Sequence, residues 1–147
     1  MINFGSKESG SGPMKNKNAL KDYFSTQKEI LCVYLFGSQA RGRVNTYSDI
    51  DIAVLFEPNL TQEERTERRL SLMDNLSSIL DKDVDVVVLN EASSFLRFQV
   101  IKEGRRIYER SDRSEHSFEA RAIVEYFDFL PIRRRLETAM LNNIKRE

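Results

Sequence analysis

The chain has no net charge: its 147 residues hold 23 Lys and Arg against 23 Asp and Glu. A protein that grips nucleic acid in bulk needs a basic field over its surface, so general nucleic-acid binding is disfavoured, although a local basic face remains open. Cysteine is nearly absent. The one thiol, Cys32, cannot close an internal disulfide, and in its apolar run it reads as a small buried hydrophobe in a reducing compartment. The one histidine, His116, stands in a polar linker without a Cys or His companion. That excludes a zinc site and leaves no Ser-His-Asp or Cys-His arrangement. Long hydrophobic runs are missing too. The longest, Ile30–Phe36, falls far short of the ~20 residues that cross a bilayer, and the first 30 residues contain no secretory h-region. The expectation is a cytoplasmic protein without a membrane partner. No internal repeat is visible.

The length suits one domain with a full core, and 40% apolar with 31% charged residues is the balance of an ordinary globular chain. Residues 1–13, rich in Gly and Ser, read as a flexible leader or an expression scar, which leaves residues 14–147 as the domain. Apolar spacing predicts a helix over Asn18–Glu29 with Leu20, Tyr23 and Phe24 on one face. Strands are expected at Ile30–Phe36, Asp49–Phe56 and Asp83–Leu89, with a short charged edge strand at Arg105–Glu109. A turn or short helix fits residues 38–43. Thr61-x-x-Glu64 is a capping-box pattern opening a helix that carries Leu70, Met73, Leu76 and Leu80. Ser93–Glu103 reads as a helix closed by Gly104, and a last helix from about Ser117 should break at Pro131 and resume to Asn142. The fold class is α/β or α+β, helices around a small sheet.

Chemistry concentrates in one stretch: Gly37-Ser38-Gln39-Ala40-Arg41-Gly42-Arg43, then Asp49-Ile50-Asp51. Strand alternation turns Asp49 and Asp51 to one face, about 7 Å apart, and Ile50, Ile52 and Val54 to the other. Carboxylates that close repel unless positive charge sits between them, and Mg²⁺ characteristically takes one or two carboxylates plus substrate phosphates. Asp85, at the start of another strand, can complete a three-carboxylate cluster able to hold two metal ions roughly 3.5–4 Å apart. Asp83 shares its parity and stays an alternative. Gly37 permits a turn other residues resist, Ser38 offers a hydroxyl and free backbone N–H groups to an anion, and Arg41 can bring its fork to the same phosphates.

Gly37-Ser38, ten residues, then Asp49-x-Asp51 resembles the signature of the DNA polymerase β-like nucleotidyltransferase superfamily. The flanks, YLFGSQARGRVNTYSDIDIAVLF, resemble its minimal form, the MNT domain. The likeness runs on through Asp85 to the tail around Phe118 and Tyr126–Phe129, covering roughly Asn18 to Leu141. MNT proteins of this kind are antitoxins paired with HEPN-domain ribonuclease toxins. The resemblance implies transfer of AMP from ATP to a hydroxyl, a tyrosine, of such a toxin within a heteromeric complex. It implies that Gly37 and Ser38 hold the triphosphate, that Asp49 and Asp51 bind Mg²⁺, and that Asp85 completes the metal site and helps to deprotonate the acceptor.

Each feature has a plainer reading alone. Gly-Ser after a strand is commonly a turn, Asp-x-Asp a solvated strand end, and Asp85 or Arg41 an ordinary surface charge. The combination at fixed spacing is what favours chemistry. Arg133-Arg134-Arg135 reads as a solvated helix face, or, with Phe127, Phe129 and Leu130 beside it, as a partner-facing one. Phe95, Phe98 and Ile101 read as core. Two other functions fit the residues: an antitoxin that only binds, and an adenylyltransferase for a small molecule such as an aminoglycoside.

Overall fold

A computed structural model describes residues 17–37, 49–110 and 114–146, apart from the side chains of 114–116 and 145–146. The elements run α1 (Lys17–Ser25), β1 (Ile30–Phe36), β2 (Ile50–Phe56), α2 (Gln62–Leu80), β3 (Val84–Val88), α3 (Ser94–Glu103), β4 (Arg105–Glu109) and α4 (Ser114–Arg146). A 3-10 turn over Leu89–Glu91 follows β3. The expected leader at residues 1–13 and the turn or helix at residues 38–43 lie outside the described residues.

The four strands order β3-β2-β1-β4, with β1 antiparallel to both β2 and β4, and β2 parallel to β3. Alternation gives the sheet two apolar faces. Val33, Leu35, Ile50, Ile52, Val54, Val84, Val86 and Ile107 pack under α1 and α2, against Leu20, Phe24, Leu72, Leu76 and Leu80. Cys32, Tyr34, Ala53 and Leu55 pack under α3 and α4, against Val100, Phe118 and Ala122. Burial of each large apolar side chain contributes roughly 1.5–3 kcal/mol. Covering both faces is what makes the middle strands almost continuously hydrophobic.

Several boundaries differ from the sequence reading. α1 ends at Ser25, and residues 26–29 form turns in which Thr26 and Gln27 bond back to Tyr23 and Phe24. The capping box on α2 is present in full: Glu64 N–H donates to the Thr61 hydroxyl, and Thr61 N–H donates to the Glu64 carboxylate. The buried stripe of that helix is Leu72, Leu76 and Leu80, whereas Leu70 is 55% exposed, because the helix meets the sheet one step round from the expected phase. β3 is the outer strand, and two side chains of α2 occupy its free edge. Ser77 Oγ accepts from Val84 N–H, and Arg69 Nε donates to the Val86 carbonyl at 2.6 Å.

The last helix does not break at Pro131. α4 runs continuously for 33 residues with that proline inside it. Proline removes the donor for the carbonyl four residues earlier, at Phe127. Phe127 is itself 56% exposed, so water can satisfy the freed group. Of the three residues expected in the core, Ile101 packs against its rim, whereas Phe98 is only partly buried and stacks on Tyr126 with ring centroids 4.1 Å apart, and Phe95 lies exposed under the Arg133 guanidinium at 4.8 Å.

One polar network ties α4 to the sheet. The buried Tyr34 hydroxyl donates to Glu119, which also accepts from Arg106 at 3.1 Å. Burial and the nearby carboxylate push the Tyr34 hydroxyl far above its ordinary pKa, so it stays a donor. Removing Glu119 leaves the buried hydroxyl without its acceptor and the Arg106 guanidinium with the more distant Glu109, at 3.6 Å. Glu119→Ala is therefore expected to lower unfolding free energy by about 2–3 kcal/mol, and Glu119→Gln by less, in urea titrations.

Candidate active site

At one end of the sheet, β1 runs out into Gly37 while β2 sets off beside it in the opposite direction, so that Phe36 pairs with Asp51. Because β3 is parallel to β2, it begins at the same end. In that register Asp51 lies opposite Asp85, and Ile50 opposite Val84. Residues in register share a face, so the two carboxylates stand side by side on the face away from α1 and α2. Asp49 sits two residues ahead of Asp51, just before the strand. The Asp51 carboxyl is pushed above its ordinary value, first by partial burial and then by the negative charges of Asp85 and Asp49. Asp51 thus feels the charge of both other acids; parity placed Asp85 there only on the condition that β3 lies beside β2, which the register meets.

Gly37 completes the corner. Its φ is +74°, a conformation that side-chain-bearing residues resist, and a Cβ placed on it would lie 2.4 Å from Asp51 Oδ2. The glycine lets the end of β1 approach the carboxylate. Ser38 and Arg41, both assigned to phosphate binding from the sequence, lie outside the described residues.

Asp85 is half exposed, and its Oδ1 is 3.4 Å from Arg69 Nη2. Sequence reasoning missed Arg69. No spacing signal could have found it, since its role appears only once α2 is laid along β3. Asp83 is not the residue in register with Asp51. Its carbonyl accepts from Ile50 N–H at 2.9 Å, and its side chain lines a crevice of about 610 Å³ together with Asp49, Asp85 and the α2 residues Leu70, Met73, Asp74 and Ser77.

Among the described residues, no three acidic, histidine or cysteine side chains stand close enough to form a ready-made metal shell. Mg²⁺ does not require one, since it binds through one or two carboxylates and fills its octahedron with phosphate oxygens and water. The donors here are hard carboxylate oxygens, and the Asp51 carboxyl is raised first by partial burial and then by the charges of Asp85 and Asp49, a charge crowding that a divalent cation relieves. The residues fit the ion.

Residues 18–113 match the profile of the family described as Polymerase beta, Nucleotidyltransferase. The chain belongs to that family. The nucleotidyltransferase match takes in all four strands and every candidate site residue, and it ends where α4 begins. Over 76 residues the nucleotidyltransferase is 43% identical to the protein adenylyltransferase MntA of Shewanella oneidensis, a stretch that spans 52% of either chain, about half of that relative's length. Among solved structures it resembles a chain of a toxin–antitoxin complex with AMP-PNP, at TM-score 0.71 and 30% identity, over 86% of this chain and 98% of that one. It also resembles a chain of the complex between a tri-AMPylated Shewanella oneidensis HEPN toxin and an MNT antitoxin, at TM-score 0.66 and 28% identity, over 88% and 99%. Those spans exceed residues 1–113, so the likeness reaches into α4.

Two outcomes follow for the corner. Gly37→Ala is expected to cost about 1–2 kcal/mol of stability for the positive φ and to turn the Asp51 carboxylate aside, as denaturation and a crystal structure of the variant would read. The raised Asp51 carboxyl means that the native state holds this proton more tightly than the unfolded chain does. Its contribution to metal-free stability is therefore full below the unfolded pKa of about 3.9 and is lost as pH rises through the native value. Asp51→Asn should accordingly stabilise the metal-free protein at pH 7 and give no gain below about pH 4, in urea titrations with a chelator present.

Proposed function

We propose that this chain is an antitoxin-type protein adenylyltransferase that moves AMP from ATP onto a hydroxyl, a tyrosine, of a HEPN-domain toxin and so silences it in a shared complex. The observation that carries the reading is the Asp51–Asp85 pairing across β2 and β3 beside Gly37. It brings the acids of the Gly-Ser, Asp-x-Asp signature to one corner. The relatives that bear the names adenylyltransferase and toxin–antitoxin support the substrate and the partner.

In this reading the chain does little covalent chemistry itself and acts by position and charge. Gly37 keeps the backbone close to the triphosphate, and the Ser38 hydroxyl and Arg41 fork bind its oxygens. Asp49, Asp51 and Asp85 would hold two Mg²⁺ ions, which neutralise the phosphates and polarise the attacking and leaving oxygens. Asp85 accepts the proton as the acceptor oxygen bonds to the α-phosphorus. The bond from that phosphorus to the bridging oxygen breaks, pyrophosphate leaves, and the proton passes on to water.

The exposed length of α4 is the surface assigned to the partner. Beyond Arg133 every residue with a described side chain is exposed, including Leu136, Met140, Leu141 and Ile144. Such a face on a long helix fits a groove on another protein. It also favours, as a second reading, an antitoxin that masks its toxin by contact alone. The rivals separate on one measurement. With ATP and Mg²⁺, intact-mass spectrometry should show an AMP-sized gain on the toxin. Asp49→Ala and Asp51→Ala should cut that gain on the order of 10³-fold, the equivalent of several kcal/mol of lost charge stabilisation, with circular dichroism unchanged. Full neutralisation by either variant, or without ATP, would leave the binding-only reading standing.

A further inference from the structure

The crevice between α2 and the outer edge of β3 shares Asp49 and Asp85 with the candidate active site, and Leu70, Met73 and Asp74 line it as well. Its volume of about 610 Å³ matches that of a typical ligand site. Its charge says what it does not take. Asp74 and Asp83 add two carboxylates beyond those assigned to the metal, and against these four acids the described lining holds no Lys or Arg, with Arg69 reaching Asp85 from beside it at 3.4 Å. A triphosphate would be repelled there, whereas a cationic segment is drawn in.

Its apolar lining narrows the choice. Leu70 is largely exposed although the core face of α2 is complete without it, and Met73 is only partly buried. Acid beside exposed apolar surface suits Lys and Arg, whose aliphatic stems pack while their heads pair, and it suits an aromatic ring. The mode of contact is restricted as well. Ser77 and Arg69 already occupy Val84 N–H and the Val86 carbonyl on the free edge of β3, so recognition falls to side chains rather than to an added strand.

We propose that this crevice receives the acceptor: a basic segment of the partner toxin that presents its hydroxyl beside Asp85, while the triphosphate enters from the Gly37 side. The inference rests on the transfer reading given above.

The test uses the full chain and two short fluorescent peptides, a tyrosine flanked by lysines and the same tyrosine flanked by glutamates. Binding is followed by anisotropy without ATP. The lysine peptide should bind roughly tenfold more tightly than the glutamate peptide, and added salt should weaken it. Asp74→Lys should erase that preference and Leu70→Ser should weaken both peptides, with the thermal midpoint and the affinity for ATP unchanged. Equal affinity for the two peptides, no binding of either, or a preference that survives Asp74→Lys overturns the proposal. Failure of the transfer reading shows elsewhere, as the absence of an AMP-sized mass gain on the toxin whatever the peptides do.

Discussion

The meeting of Asp51 with Asp85 and Asp49 at one end of two parallel strands is the constraint around which the candidate site is arranged. Asp51 faces Asp85 across β2 and β3, and partial burial first, then the charges of Asp85 and Asp49, raises its carboxyl. Nothing in the apolar core offsets this locally. Arg69 reaches the outermost of the three, Asp85, through a long and solvent-screened contact that compensates little. The corner persists because the strands beneath it are buried on both faces, so packing elsewhere supplies the stability that the acids remove. This is the familiar exchange of stability for a poised site.

The sheet order explains why the corner exists at all. An antiparallel β1–β2 pair returns the chain to the end where β1 finished, and the parallel return to β3 through α2 brings a third strand start to that same end. Two strand starts and one strand finish then meet. That puts a glycine at the finish beside acids at the starts. The family match covers this unit and stops short of α4.

Much of this was legible beforehand. Period-two alternation gave the face of Asp51, opposite that of Ile50 and Ile52, Thr61-x-x-Glu64 gave the start of α2, and the run Ile30–Phe36 gave β1 without error. What escaped were facts of relation rather than of local pattern. Which strand lies beside which cannot be read from alternation, so Asp85 could be placed near Asp51 only conditionally. The rotational phase of α2 depends on how it meets the sheet, which left Leu70 outside the core and Leu72 within it. Arg69 has no motif and acquires meaning only from its neighbour. Pro131 was expected to end a helix, but a proline on a solvated stretch costs one hydrogen bond that water replaces.

The unbroken α4 spans about 50 Å at ~1.5 Å per residue, and only its early turns rest on the sheet. Its middle turns pack on α3 through Tyr126 and Arg133, and the described side chains beyond Arg133 are exposed. A partner grasped near its tip is held at a fixed radius from the catalytic corner, so the helix acts as a gauge. Lengthening or shortening it by one turn would shift that radius by about 5.4 Å while leaving every atom of the corner in place.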